Sequence, residues 1–204
     1  VALLGILGAT GALAPAYAEA RQALAGQALL NVDETGHKER GKNLWNWCFR
    51  APGHTVFSIE HSRGSKVLKG VLGRKFNGVL GCDYFSAYRK YMGDVGVEVQ
   101  FCLAHLVRDV KYLTTLDART RKYGERVLGA LKKLFRVIHR REKMTPERFG
   151  AALERGRKDV MRGARHPPWT REARNMPEIF RRHGDCYFRF ITTPGVEPTN
   201  NFAE

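Results

Sequence analysis

The sequence has little cysteine, little acidic charge and no apolar run well suited to crossing a membrane. Its four cysteines are widely spaced and mostly lie in apolar stretches, a pattern that fits reduced, cytoplasmic packing residues better than a disulfide framework. The longest apolar stretch, residues 1–18, contains several glycines and Pro15, so it is a poor membrane span. It also lacks the basic leading segment of a signal peptide. We therefore expect a cytoplasmic chain with no membrane partner.

Acidic residues are scarce relative to basic ones. The chain has 20 Asp+Glu against 35 Lys+Arg, a net charge of +15 that favours a polyanionic partner such as nucleic acid. Residues 118–182 contain 20 Lys+Arg and 7 Asp+Glu, whereas the remainder contains 15 and 13. Because nearly all the excess lies in one region, we favour a dedicated binding surface, with a solvated Arg-rich helical face as the alternative.

Two aspartates each follow a short apolar run. Asp33 follows residues 28–32 and Asp83 follows residues 79–82, and both runs have the length and bounding residues of a buried strand. A carboxylate at a strand's end is held rigidly, and hard divalent cations prefer such oxygen ligands. Two magnesium ions about 3.5–4 Å apart can activate a water or hydroxyl and stabilise the leaving oxygen of a phosphodiester.

The remaining pattern predicts a mixed sheet with flanking helices, the α/β class. Aromatic and β-branched residues around a Pro-Gly turn predict two antiparallel strands beside the one that carries Asp33. Trp45 and Trp47 are two residues apart, share a face and are expected in the core rather than stacked on bases. The predicted order after the first strand is strand 44–49, strand 55–59, helix 65–72, strand 79–82, helix 85–92 and strand 97–101.

Four segments closely resemble the transposases of the insertion sequence sixty-six family. They are Asp-Glu-Thr-Gly at 33–36, Asp-Tyr-Phe-Ser-Ala-Tyr at 83–88, Cys-Leu-Ala-His-Leu-Val-Arg at 102–108 and Glu-Pro-Thr-Asn-Asn-Phe-Ala-Glu at 197–204. Any one is a weak signal, but four in this order are specific. The resemblance implies a ribonuclease-H-like core with a mixed five-stranded sheet, flanking helices and a helical insertion before a third acid. Asp33, Asp83 and Glu204 would then be the three catalytic acids, and they would bind two Mg²⁺ or Mn²⁺ ions.

The function that this resemblance implies is DDE transposition by a bacterial mobile element. Such enzymes hydrolyse DNA at the ends of the element and join the freed 3′ hydroxyls to target DNA. The implied partner is double-stranded DNA, in a complex that can contain several copies of the chain, and the implied location is the nucleoid. A catalytically inactive DNA-binding remnant is the alternative, and a related metal-dependent nuclease is a third hypothesis.

Three further residues are expected to support the acids. His105 and Arg108 lie three apart on a predicted helix, and the resemblance favours their contact with phosphate or with a catalytic carboxylate; a structural histidine is the alternative. Cys102 and His105 form a Cys-x-x-His pair, but no second pair completes a zinc site, so no zinc is expected. Thr199 or Asn200 is expected to cap the helix of Glu204.

Competing carboxylates are Glu34, Glu197 and Asp185. Glu34 directly follows Asp33, so on a strand its side chain is expected on the opposite face.

Residues 118–182 are predicted to form a basic helical insertion. Apolar residues recur there at three- and four-residue spacing, which leaves the cations outside the packed face. These cations are expected to neutralise DNA phosphates with little sequence information. They are Lys132, Lys133, Arg136, Arg140 and Arg141.

The predicted domain plan has four parts. Residues 1–27 are the remnant of an upstream helical region, with a helix around 15–25, and residues 28–117 form the first part of the core. Residues 118–182 are the insertion, and 183–204 end the core. Because the sequence has no initiating Met and stops at Glu204, we expect a truncated fragment with a mobile Glu204. Such a chain is expected to bind DNA with little or no strand transfer.

Overall fold

The computed structural model describes residues 2–203, with side chains described for 11–201 and for 203. The chain forms two compact units. The first contains the residues up to 99 together with those from 200 on, and the second contains residues 100–199. None of the helices in the described part of the chain is both long and apolar enough to span a membrane.

A five-stranded mixed sheet organises the first unit. Its strands follow the order β3-β2-β1-β4-β5, so the first strand is central. β1 pairs with β2 antiparallel and with β4 parallel, and β2 pairs with β3 antiparallel. The predicted ribonuclease-H-like fold class is confirmed by this topology. The strands are β1 (Leu29–Glu39), β2 (Lys42–Arg50), β3 (Thr55–Glu60), β4 (Val79–Cys82) and β5 (Glu98–Phe101).

Helices flank the sheet and fill the second unit. In the first unit they are α1 (Ala2–Ala23), α2 (Ser65–Leu72) and α3 (Ser86–Val95). In the second unit they are α4 (Leu103–Leu113), α5 (Ala118–Ile138), α6 (Pro146–Gly163), α7 (Met176–Tyr187) and α8 (Arg189–Thr192).

The first strand is longer than the sequence predicted. β1 runs six residues past Asp33 and returns into β2 through Arg40 and Gly41, which both have positive φ as in a two-residue hairpin turn. Asp33 therefore lies within a strand rather than at its end, and that part of the prediction is wrong. The extension is exposed from Thr35 onward, so no apolar run marks it in the sequence.

The first helix is also longer than predicted. α1 contains Pro15 in its interior, where we expected a helix to begin. Proline in a helix costs about 3 kcal/mol, but the flanking alanines and leucines are strong helix formers. The helix is held to the edge strand region, because the Tyr17 hydroxyl donates to the carbonyl oxygen of Phe57 at 2.9 Å and a ring nitrogen of His54 lies 3.0 Å from the carbonyl oxygen of Ala20.

The sheet and the helical unit each have an apolar core. In the first unit, side chains of β1, β2, α2 and α3 are fully buried, among them Leu30, Trp47, Leu68 and Tyr88. In the second unit α4 buries Leu106, Val110 and Leu113, and α5 buries Val127, Leu131 and Leu134 at the predicted three- and four-residue spacing. α6 begins with the Thr145 hydroxyl accepting from the Arg148 amide and with Pro146 in the first turn.

Candidate active site

The side chains of successive residues in β1 lie on opposite faces of the sheet. Asp33 is half-buried and pairs across the antiparallel ladder with Cys48. Glu34 is buried and pairs with Trp47, which is itself fully buried. This alternation follows from the period of two in a strand. The predicted placement of Glu34 on the face opposite Asp33 agrees with this pattern.

Asp83 comes directly after β4, the parallel neighbour of β1. The pairing of β1 with β4 ends with Asn31 opposite Gly81, and continuing it by two residues brings Asp33 level with Asp83. Adjacent strands lie about 4.8 Å apart, so the two backbones approach closely here. The Asp83 carboxylate accepts a hydrogen bond from the Phe85 amide at 2.8 Å, immediately before α3. This turn fixes the carboxylate relative to the sheet.

Gly81 explains how β1 and β4 fit together beside the acids. A Cβ at Gly81 would lie 2.0 Å from Oδ1 of Asn31, so the Asn31 side chain occupies the space above the glycine. Asn31 is two residues before Asp33 and therefore shares its face. Sequence reasoning missed Asn31, and the only available signal was a glycine inside a strand, which marks a close approach.

A surface pocket of about 370 Å³ opens next to Asp33. It is lined by Asp33, Thr35, Asn46, Cys48, Arg50, Thr55, Phe57 and Ala203. Burial and the charge of Asp33 raise the pKa of the Cys48 thiol, so this thiol is a neutral neighbour. The pocket therefore combines a carboxylate with polar side chains and the guanidinium of Arg50.

The described end of the chain lies against the same part of β1. Asn201–Ala203 form a single 3₁₀ turn, and Ala203 is buried in the pocket that contains Asp33. Asn200 is fully buried, and its Nδ2 donates to the carbonyl oxygen of Val32 at 3.2 Å. Its Oδ1 has no hydrogen-bond partner within the described part of the chain. Glu204, the predicted third acid, lies outside the described residues.

The predicted cap by Asn200 is therefore wrong. An N-cap residue accepts from a following backbone amide through its side-chain oxygen, whereas Asn200 instead donates to β1. This side chain ties the last residues to the strand that carries Asp33, and burial of the amide beside the sheet outweighs a local cap. The prediction that Asn200 lies near Asp33 agrees with this contact, because Val32 precedes Asp33 directly.

An ion pair between the buried Glu34 and the partly exposed Arg63 lies on the opposite face, behind Asp33. The Nε of Arg63 donates to Glu34 at 2.8 Å, and the Tyr88 hydroxyl donates to the other carboxylate oxygen. The Arg63 guanidinium also stacks on Trp45 and Phe85, with its central carbon 4.7 and 4.0 Å from the ring centroids. This cluster links β1, the segment before α2 and the turn that holds Asp83.

Opposing effects act on the pKa of Glu34 in this cluster. Burial raises the pKa of Glu34 above its ordinary value and the charge of Asp83 adds to the rise, whereas the hydrogen bonds from Tyr88 and Arg63 lower it. Burial and the charge of Glu34 raise the pKa of Tyr88 well above its ordinary value. Tyr88 therefore stays a protonated donor to Glu34 at neutral pH.

A family model identifies the protein family of this chain. The model of the Transposase IS66 family matches residues 5–204. The chain belongs to this transposase family. None of the curated proteins to which this IS66-family sequence was compared matches it significantly.

Two solved structures resemble the IS66-family chain weakly. Both are the HTLV-2 integrase catalytic core domain in complex with magnesium, one in a dimeric and one in a trimeric form. Each has a TM-score of 0.30 and covers 64% of this chain and 82% of its own, with 9% and 8% sequence identity. Because both TM-scores are low, we base the fold class on the strand order and directions alone.

Two of the predicted supporting residues of this IS66-family chain, His105 and Arg108, lie on α4 in the second unit. His105 is half-buried and Arg108 is exposed. Beside them Leu106, Val110 and Leu113 are buried. The roles of His105 and Arg108 at the acids stay predictions.

The predicted DNA-contacting cations are all exposed. Lys132, Lys133 and Arg136 project from α5, while Arg140 and Arg141 follow its end. Lys132 and Arg136 also border a groove of about 490 Å³ between α4 and α5, which contains Phe135 and His139. A solvated helix face and a phosphate-binding surface both fit this exposure.

Within residues 2–203, no group of three or more His, Cys, Asp or Glu side chains is arranged to hold a metal ion. The two carboxylates that the sheet brings level are hard oxygen donors, the class that Mg²⁺ and Mn²⁺ prefer. The buried Oδ1 of Asn200 lacks a partner within the same described region, beside the strand of Asp33. The oxygen donors beside Asp33 are thus of the kind that a hard divalent cation would use.

Proposed function

We propose that this transposase-family chain carries a DDE catalytic core that cleaves DNA and transfers strands with divalent metal ions. The parallel pairing of β1 with β4 carries the proposal, because its register, continued two residues past the last pair, brings Asp33 level with Asp83. The pocket beside Asp33 supports it, because it offers room for a phosphodiester next to a carboxylate.

Asp33, Asp83 and Glu204 would hold Mg²⁺ or Mn²⁺. In the sequence Glu204 directly follows Ala203, which lines the pocket of Asp33. Bound metal would supply Lewis-acid stabilisation of charge on the attacking and leaving oxygens.

The chain's own residues would bind and orient the DNA. Arg50 lines the pocket and offers its guanidinium to a phosphate oxygen. Asn200 anchors the last described residues to β1, and the turn at Asp83 orients the second carboxylate. The exposed cations of α5 and its end would bind duplex phosphates.

Charge-neutral variants test the proposal. Asp33→Asn and Asp83→Asn keep the side-chain shape and remove a metal-binding charge, so each is expected to lower nicking of plasmid DNA in Mg²⁺ or Mn²⁺ at least a hundredfold. DNA affinity should change less than threefold. Asp159→Asn is the matched control, because Asp159 lies on α6 in the second unit and pairs with Arg162 at the surface.

Three outcomes separate the hypotheses. Nicking that survives in both variants contradicts the catalytic assignment. If the unaltered chain binds DNA but never nicks it with either metal, the non-catalytic DNA-binding reading is correct. Nicking without joining of a 3′ hydroxyl end to a second DNA favours the related nuclease.

A further inference from the structure

Trp169 is the most exposed large hydrophobic residue of the described chain. It lies in the loop between α6 and α7, and 97% of its surface is accessible to solvent. By contrast Trp47 is fully buried and Trp45 is half-buried under a guanidinium. An indole gains by burial or by stacking, so full exposure of one ring points to a binding role.

The loop that presents Trp169 is held firmly by α5. Arg126 donates from Nε to the carbonyl oxygen of Gly163 at 2.9 Å and from Nη2 to that of Arg165 at 2.8 Å. The Tyr123 hydroxyl donates to the carbonyl oxygen of Ala164 at 2.8 Å.

On the far side of the tryptophan, the hydroxyls of Thr120 and Thr170 lie 3.2 Å apart, and Ala173 is fully buried. Pro167 and Pro168 restrict the backbone just before the ring. The indole is therefore displayed from a segment anchored on both sides.

The immediate surroundings of this ring are cationic. Arg165, Arg171 and Arg174 are exposed, and none of the three forms an ion pair with a carboxylate within the described residues. Glu172 is the single acid of the loop from 164 to 175. A flat aromatic face beside several guanidinium groups matches a ligand with both a planar ring and a negative charge.

We propose that Trp169 and its flanking arginines form a binding site for single-stranded nucleic acid, in which the indole stacks on an unpaired base. Aromatic stacking on bases tolerates any base, because every base has a π-face, and arginines follow the phosphates. In a duplex the faces of the bases are covered by their neighbours, so the site prefers a single strand or a frayed end. The inference relies on the proposed function only for the expectation that the chain acts on DNA.

The test compares two DNA forms on three variants of the full chain. Labelled thymidine 12-mers and a blunt duplex of similar length are titrated by fluorescence anisotropy. Trp169→Ala is expected to weaken single-strand binding about tenfold and duplex binding less than twofold, and Trp169→Phe should restore most of the loss. Tyr112→Ala is the matched control, because Tyr112 is another exposed aromatic residue, on α4, and should change neither affinity.

Intrinsic fluorescence gives a second readout. Single-stranded DNA should quench the emission of the unaltered chain, and the quenching should disappear in Trp169→Phe. Equal loss of single-strand and duplex affinity in Trp169→Ala, or unchanged quenching in Trp169→Phe, overturns the proposal, and so does concentration-dependent self-association that Trp169→Ala abolishes. Asp33→Asn separates this site from catalysis: it should leave the quenching intact even where nicking is lost.

Discussion

At the residue scale, neighbouring acids of β1 have different tasks because a strand alternates its faces. Asp33 is directed to the pocket, whereas Glu34 is buried with Arg63 and Tyr88. A buried carboxylate is tolerated only when it is well hydrogen-bonded. Glu34 is thus held by Arg63 and Tyr88 on the face of β1 opposite Asp33.

The hydroxyl of Tyr88 should matter more than that of a similar tyrosine. Tyr88→Phe leaves a buried carboxylate oxygen without its donor and is expected to lower the free energy of unfolding by about 1–3 kcal/mol. Tyr91→Phe is the control, since its hydroxyl donates to the neutral carbonyl oxygen of Gly73 at 2.9 Å and should cost about 1 kcal/mol. Urea denaturation measures both, and a larger loss in Tyr91→Phe would contradict this account.

The raised pKa of Glu34 gives a pH dependence with a definite sign. A carboxyl group whose pKa is higher in the folded state than its ordinary value of 4.5 favours folding when protonated, and this contribution is lost as pH rises through the folded pKa. The unfolding free energy of the unaltered protein, minus that of Glu34→Gln, should therefore decrease as pH rises from about 4.5 to the raised pKa of Glu34. Above that pKa the difference should stay constant. A difference that does not change between pH 4 and 8 would contradict this prediction.

At the scale of elements, two glycines allow the β4 segment to approach the β1 segment closely. A different kind of neighbour leaves no room for a side chain at each of them. A Cβ at Gly81 meets the end of the Asn31 side chain, whereas a Cβ at Gly78 lies 2.2 Å from the backbone oxygen of Gln27. A side chain can move aside more easily than a backbone can. The two positions should therefore respond differently to the same substitution.

Gly81→Ala is expected to lower the free energy of unfolding by about 1–3 kcal/mol. Adding Asn31→Ala removes the clash, so a double-mutant cycle should show a favourable coupling of about 1 kcal/mol or more. Gly78→Ala should cost more and should not be rescued by Asn31→Ala, which makes it the control. Additive effects of Gly81→Ala and Asn31→Ala would mean that the two residues do not conflict.

Elements with a clear local signal could be predicted from the sequence, and those decided by tertiary contacts could not. α2 and β4 have the predicted bounds because an apolar pattern and turn residues mark both ends. The second half of β1 was missed because it is exposed and polar. The part of α1 before Pro15 was not predicted, because we interpreted Pro15 as the start of a helix despite the helix-forming residues before it.

The candidate site shows the same limit. Asp33 and Asp83 could be selected because each follows an apolar run, whereas their level placement follows from the parallel pairing of β1 with β4 in the structure. The partners of Glu34 lie 29 and 54 residues away along the chain, so no spacing rule identifies Arg63 or Tyr88. Asn200 was expected to cap locally, but its amide reaches Val32, 168 residues away.

At the scale of the whole molecule, charge is distributed unevenly between the two units. Residues 118–182, which hold most of the excess positive charge, lie within the second unit. Asp33 and Asp83 belong to the first unit. If these cations bind DNA as expected, affinity for DNA and the proposed chemistry should be separable by mutation.

The salt dependence of duplex binding tests whether the cations of α5 contact phosphates. Each contact releases counterions and contributes about 0.9 to the slope of log affinity against log salt concentration. The triple variant Lys132→Ala, Lys133→Ala, Arg136→Ala should therefore reduce the magnitude of the slope by about 2 to 3. Anisotropy titrations with one blunt duplex at several salt concentrations measure the slope.

A triple variant with the same change in net charge serves as the control for this surface. Lys66, Arg74 and Lys75 are exposed cations of the first unit, and replacing all three by alanine also removes three positive charges. If the α5 cations form a dedicated surface, the control should change the slope by less than about 1, since general electrostatic attraction is screened beyond roughly 10 Å at 0.1 M salt. Equal reductions in both variants would show instead that the positive charge acts diffusely, as a solvated Arg-rich helix face would.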